Sequence, residues 1–154
     1  MADVVLFAHR GADPYPDHSM DAYKAAINWG ADFIEPDLFL TKDGVLVSSH
    51  DDIAGGFASK TYAEALAANP NLVTFAQVIE LVKAMSIETG RNIGLIPETK
   101  NTSLATSEAV VRALIEHGFT DPDRIYIQSF SATNLRAPAS PIVRRRSVPR
   151  TSAS

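Results

Sequence analysis

The 154-residue sequence contains no cysteine, so disulfides, thiolate metal sites and cysteine nucleophiles are excluded together. Nor does it hold an apolar run approaching the roughly 20 residues needed to cross a bilayer. Met1-Ala2-Asp3 leads straight into the short apolar run 4–8, with none of the basic residues that open a signal peptide. As written, the chain is expected in the cytoplasm, and in the periplasm or outside the cell only if an upstream signal is missing. Positive charge is also scarce: 14 Lys and Arg stand against 18 Asp and Glu, a formal net charge of −4, which points to no nucleic-acid partner.

What is present is the composition of one soluble globular domain, 45% hydrophobic and 21% charged, able to hide about two-thirds of its unfolded surface. Residues 4–8 form an unbroken β-favouring run, expected to be a strand buried on both faces. Ser19 then stands where it can cap a helix whose apolar positions include Ala22, Tyr23, Ala26 and Ile27, and Gly30 supplies the stop. Residues 31–40 return to strand character, Lys42-Asp43-Gly44 makes a turn, and residues 45–47 begin the second arm of a hairpin. Gly55-Gly56 marks a loop, and residues 62–68 have room for one or two helical turns. A helix over 74–89 between Thr74 and Gly90, a strand over 93–98, a helix over 104–117 and a strand over 124–130 follow.

Apolar strands alternating with helical connections indicate parallel pairing and right-handed crossovers. The expected fold is α/β: the N-terminal half of a TIM-type (β/α)8 barrel, incomplete at about four βα units, because a whole barrel takes about 250 residues. Residues 1–135 carry this partial barrel. Residues 136–154 hold Arg144-Arg145-Arg146 and Arg150, no acidic residue and no strand or helix period, and are expected to be disordered.

Several polar groups fall at or near the expected carboxyl ends of strands, where barrel enzymes carry their chemistry. Glu35 and Asp37 are two apart, so on a strand they point to one side, and paired hard oxygens suit Ca²⁺ or Mg²⁺. Their apolar neighbours Ile34, Leu38 and Phe39 argue against a solvent-facing acidic pair, since unpaired buried carboxylates are costly. His9 and His50 are the candidate acid/base pair, because imidazole titrates near neutral pH and can take one proton and give another. Arg10 has a donor fork suited either to phosphate oxygens or to Glu35 and Asp37, and Gly11 permits close backbone approach. His18 and His117 are read as structural or surface residues.

His9-Arg10-Gly11, Pro16-Asp17-His18-Ser19, Gly30-Ala31-Asp32, Glu35-Pro36-Asp37, Thr41-Lys42-Asp43-Gly44, His50-Asp51 and Pro97-Glu98-Thr99-Lys100 together resemble the ordered signature of the glycerophosphodiester phosphodiesterase family, over residues 4–135. The resemblance implies that Glu98 completes the metal-binding carboxylates with Glu35 and Asp37, and that Arg10 and Lys100 bind the substrate phosphate. It implies hydrolysis of a small-molecule glycerophosphodiester to glycerol 3-phosphate and an alcohol such as choline or ethanolamine. The substrate's neighbouring glycerol hydroxyl would attack, through a cyclic phosphate that water opens.

The sequence departs from the family pattern at Asp17, where Glu is usual, and in the shorter stretch between residues 51 and 74. The likeness stops after Asn134-Leu135, and the composition shift there reads like a frameshifted or prematurely ended gene product. Half a barrel would expose sheet edges and apolar helix faces. A homodimer pairing those edges is therefore expected, and the alternative to an enzyme is an inactive fragment or self-associating protein of the same family.

Overall fold

In the computed structural model, residues 4–101 and 103–129 are described; the basic segment 136–154 and the end of the expected partial barrel lie outside them. The elements in chain order are β1 (Phe7–His9), α1 (Met20–Asn28), β2 (Phe33–Glu35), β3 (Asp37–Leu40), β4 (Leu46–Ser48), α2 (Tyr62–Ala68), β5 (Val73–Thr74), α3 (Phe75–Thr89), β6 (Gly94–Leu95), β7 (Glu98–Thr99), α4 (Leu104–Glu116) and β8 (Gln128–Ser129).

The helices begin where hydroxyl side chains can take up free backbone N–H groups. Ser19 accepts from the Ala22 amide at the start of α1, while Thr61 with Glu64 and Thr74 with Gln77 form reciprocal capping boxes on α2 and α3. Gly90, at φ 66°, closes α3 in the left-handed conformation that favours glycine.

The strands expected over 31–40 and 93–98 are each interrupted by proline. Pro36 separates β2 from β3, and Pro97 separates β6 from β7, since each proline removes one ladder donor. The parallel register nevertheless continues across both breaks, from Phe33↔Gly94 and Ile34↔Leu95 to Asp37↔Glu98 and Leu38↔Thr99. Both proline carbonyls still accept, Pro36 from the Glu98 amide and Pro97 from the Gln128 amide. With β1 parallel to β2 and β8 parallel to β7, the result is a run of parallel strands connected by α1, α3 and α4. The expected hairpin forms between β3 and β4, and β5 extends it antiparallel.

One face of this sheet is covered by the helices. Ile34, Leu38 and Leu95 pack there with Tyr23, Ile27, Val78, Ile79, Val82, Val110 and Leu114 in a single buried cluster. A second cluster of Phe39, Val47, Phe57, Ala65 and Leu72 lies under the hairpin and α2. On the opposite face the rings of Phe7, Phe33 and Tyr126 form a ladder with 5.3 Å between successive centroids. Phe7 is 55% exposed and Val4 80% exposed, so the expectation of a first strand buried on both faces is wrong. Among the described residues β1 has a strand neighbour on one side only, β2, and residues 4–6 precede the paired part of the run. No helix among the described residues is long and apolar enough to cross a membrane.

Candidate active site

The two proline breaks build the polar centre. His9 ends β1 opposite Glu35, which ends β2, whereas Asp37 and Glu98 open β3 and β7 directly opposite one another. Each acidic residue therefore stands at a strand terminus beside a proline. Ligand atoms of His9, Asp37 and Glu98 come within 4.8 Å of one another. His9 Nε2 lies 3.7 Å from Asp37 Oδ1; the imidazole is 48% exposed and the carboxylate fully buried, so this trio is reached from solvent through His9.

Lys100 Nζ is 3.7 Å from Asp37 Oδ2 and 3.9 Å from Glu98 Oε1, with its positive charge beside both carboxyls. Glu35 stands outside the close trio and lines a separate 470 Å³ hollow with Phe7, Ile96 and Tyr126. Its charge still reaches Glu98. Arg10, at φ 65°, sends Nη1 to 3.4 Å from Asp17 Oδ2 and holds Nε 3.9 Å from Asp37 Oδ2. Thus Asp17, which replaces the family's usual Glu, pairs with the arginine of the opening motif. His50 Nδ1 lies 2.9 Å from Asp51 Oδ1. His50, Arg10, Asp17 and His18 share the wall of an 840 Å³ cavity that Asn69, Asn71 and Leu72 also line.

Burial by itself would raise the Asp37 carboxyl. Hydrogen bonding from His18 and interaction with Glu98, together with the charges of His18 and Lys100, more than offset that and lower it to about 2. Glu98 moves the other way: burial raises it, the adjoining Asp37 raises it further, and Lys100 only partly opposes them. The Lys100 ammonium thus offsets only part of the cost of placing two buried carboxyls side by side.

One buried residue central to this arrangement is absent from the sequence-derived site. His18 is 4% exposed, and its Nε2 lies 3.2 Å from Asp37 Oδ2. Behind it stand the Tyr23 hydroxyl, 2.8 Å from Nδ1, and Ser48 Oγ, 2.8 Å from that hydroxyl. His117, read as a structural or surface residue, pairs with Glu80 at 2.8 Å, away from these groups.

The Glycerophosphoryl diester phosphodiesterase family matches residues 9–139, and the chain belongs to that family. It is 30% identical to a glycerophosphodiester phosphodiesterase of Bacillus subtilis over 86% of this chain and 54% of the relative. The crystal structure of a glycerophosphodiester phosphodiesterase from Parabacteroides distasonis superposes with a TM-score of 0.71 at 27% identity, covering 84% of this chain and 58% of that one. An Oleispira antarctica phosphodiesterase, solved in complex with the product sn-glycerol-3-phosphate, superposes with a TM-score of 0.69 at 22% identity over 86% of this chain and 60% of that one. The fold is accordingly a partial TIM-type barrel, and the chain spans about half the length of curated relatives it matches, 52% and 54% in two cases.

Proposed function

We propose that the chain carries a glycerophosphodiester-cleaving centre that releases glycerol 3-phosphate and an alcohol, using a divalent cation, Ca²⁺ or Mg²⁺, with His9 and His50 as the proton-transferring pair. The observation that carries this reading is the convergence of His9, Asp37 and Glu98 on one point. The donor set fits a cation: Asp37 Oδ1 is buried with no hydrogen-bond partner, and the neighbouring Glu98 carboxyl is raised by burial and by Asp37. Asp37 and Glu98 would hold the ion, with Glu35 as the third carboxylate that the family resemblance supplies. Bound there, the cation lowers the pKa of a coordinated hydroxyl and offsets charge on the phosphoryl oxygens.

The chain's own groups account for the remainder. Of the two histidines, one takes the proton of the attacking glycerol hydroxyl and the other returns a proton to the leaving alcohol, His9 from the end of β1 and His50 from just beyond β4. Arg10 and Lys100 supply donors for the phosphate oxygens, Arg10 as a planar fork and Lys100 as a point charge. The product held by the Oleispira antarctica relative supports glycerol 3-phosphate as the released half.

The reading is tested by incubating purified protein with glycerophosphocholine and measuring glycerol 3-phosphate, with Mg²⁺ or Ca²⁺ and then with chelator. Release that the chelator abolishes is expected; release that is indifferent to metal would overturn the cation's part in it. A second reading, a chain that associates with another copy of itself, is supported by the exposed Phe7 and Tyr126 on the uncovered sheet face.

A further inference from the structure

The oxygens of Asp37 have different surroundings. Oδ2 faces His18 at 3.2 Å, Lys100 at 3.7 Å and Arg10 at 3.9 Å. Oδ1 has no hydrogen-bond partner and faces His9 at 3.7 Å. His18 is thus the hydrogen-bond donor that decides which carboxylate oxygen is tied and which is left toward His9.

Two hydroxyls stand behind His18. Asp37 Oδ2 can only accept, so the proton between them sits on His18 Nε2. Its other ring nitrogen, Nδ1, pairs with the Tyr23 hydroxyl at 2.8 Å. The Tyr23 hydroxyl in turn pairs with Ser48 Oγ at 2.8 Å. All three side chains are buried, Tyr23 at 0%, His18 at 4% and Ser48 at 4% exposure. Burial raises the Tyr23 phenol above its ordinary value, so the hydroxyl keeps its proton. The hydrogen-bonded chain of Ser48, Tyr23 and His18 ends on Asp37 and is drawn from three separate parts of the fold: β4, α1 and the turn before α1.

The turn is shaped to deliver the ring. His18 adopts φ 60°, a conformation uncommon for residues with a side chain, and its backbone N–H bonds the Arg10 carbonyl at 2.8 Å. The chain therefore folds back onto the His-Arg-Gly segment immediately before the Ser19 cap. A histidine in a strained turn, buried and hydrogen-bonded through both ring nitrogens, is arranged to hold its neighbour still.

We propose that His18 is a positioning residue: with Tyr23 and Ser48 behind it, it fixes Oδ2 of Asp37 so that Oδ1 is presented to the divalent cation. This rests on the metal-dependent reading above. Groups that orient a metal ligand typically contribute about 10- to 100-fold in affinity, and that is the range expected here.

The test is titration calorimetry of Mg²⁺ and Ca²⁺ into the purified chain, which needs no turnover. His18→Leu is expected to weaken binding about 10- to 100-fold, and His18→Gln, which keeps an N–H donor, to recover part of that loss. The pair Tyr23→Phe with Ser48→Ala leaves His18 in place but removes both hydroxyls near Nδ1; its loss is expected at the lower end of the range, and it decides the matter should His18→Leu not fold. Folded variants that bind as tightly as the parent would overturn the positioning role while leaving the metal site standing. A parent chain that is folded yet binds neither ion would remove the metal reading and this inference with it.

Discussion

Asp37 and Glu98 lie side by side with almost no exposure, 0% and 3%, and Lys100 offsets only part of the cost of that proximity. Glu98 is raised by burial and by Asp37, so its contribution to stability is complete below its unfolded pKa and is lost as pH rises through its folded value. Asp37 behaves oppositely: lowered to about 2, it contributes above its unfolded value and ceases to do so as pH falls through about 2. In chelator, the urea midpoint is therefore expected to fall as pH rises above the ordinary carboxylate range, and to rise again when Mg²⁺ or Ca²⁺ replaces the missing proton. Glu98→Gln should remove that fall and leave the metal-free protein at neutral pH about 1 kcal/mol more stable than the parent, while impairing metal binding. Equal pH dependence of the two proteins would contradict the account of the pair. At this scale the sequence is a good guide to which groups matter, because His9, Asp37 and Glu98 sit in recognisable motifs. His18 is not legible as their partner, since its bond to Asp37 spans 19 residues and depends on a turn that no periodicity announces.

Helices and strands differ in how openly the sequence declares them. The caps at Ser19, Thr61 and Thr74 are local, each satisfied within three residues, so the starts of α1, α2 and α3 can be read directly. Strand burial is not local. The run 4–8 has the composition of a doubly buried strand, yet Val5 and Leu6 are about half exposed at 49% and 50%, because burial depends on what packs against each face. The breaks at Pro36 and Pro97 are visible as residues, but that they fall opposite one another follows only from the register. Glu35, two positions before Asp37, consequently belongs to a different strand from it and lies outside the closest trio. One glycine ties an element directly to the site. Gly11 follows Arg10 at φ 105°, and a Cβ there would sit 2.5 Å from the Ala22 Cβ of α1. Gly11→Ala is expected to destabilise the protein by about 2–4 kcal/mol in urea unfolding, combining backbone strain with overpacking. A loss below about 0.5 kcal/mol would mean that the segment between β1 and α1 is far more compliant than this contact implies.

Across the molecule, the covered face of the sheet is a continuous core, whereas the other face shows the ladder of Phe7, Phe33 and Tyr126. Exposed aromatic surface of this kind favours association. If a second copy covers it, light scattering should report a dimer, and Phe7→Ser with Tyr126→Ser should shift the population toward monomer. A folded monomer at all concentrations tested would exclude that second reading. The general architecture, parallel strands joined by helices, is legible from alternation alone, and the match to solved relatives agrees with it. Whether the chain as it stands turns over a glycerophosphodiester is a matter for kinetics. The most direct measurement is kcat/KM for glycerol 3-phosphate release from glycerophosphocholine at saturating Mg²⁺ or Ca²⁺, comparing the parent with His9→Ala and Glu98→Gln. The account predicts turnover by the parent and a loss of about 10²- to 10⁴-fold in His9→Ala, with a large loss also in Glu98→Gln. A folded parent without turnover, or variants as active as the parent, would contradict the claim that His9, Asp37 and Glu98 form a working centre in this chain.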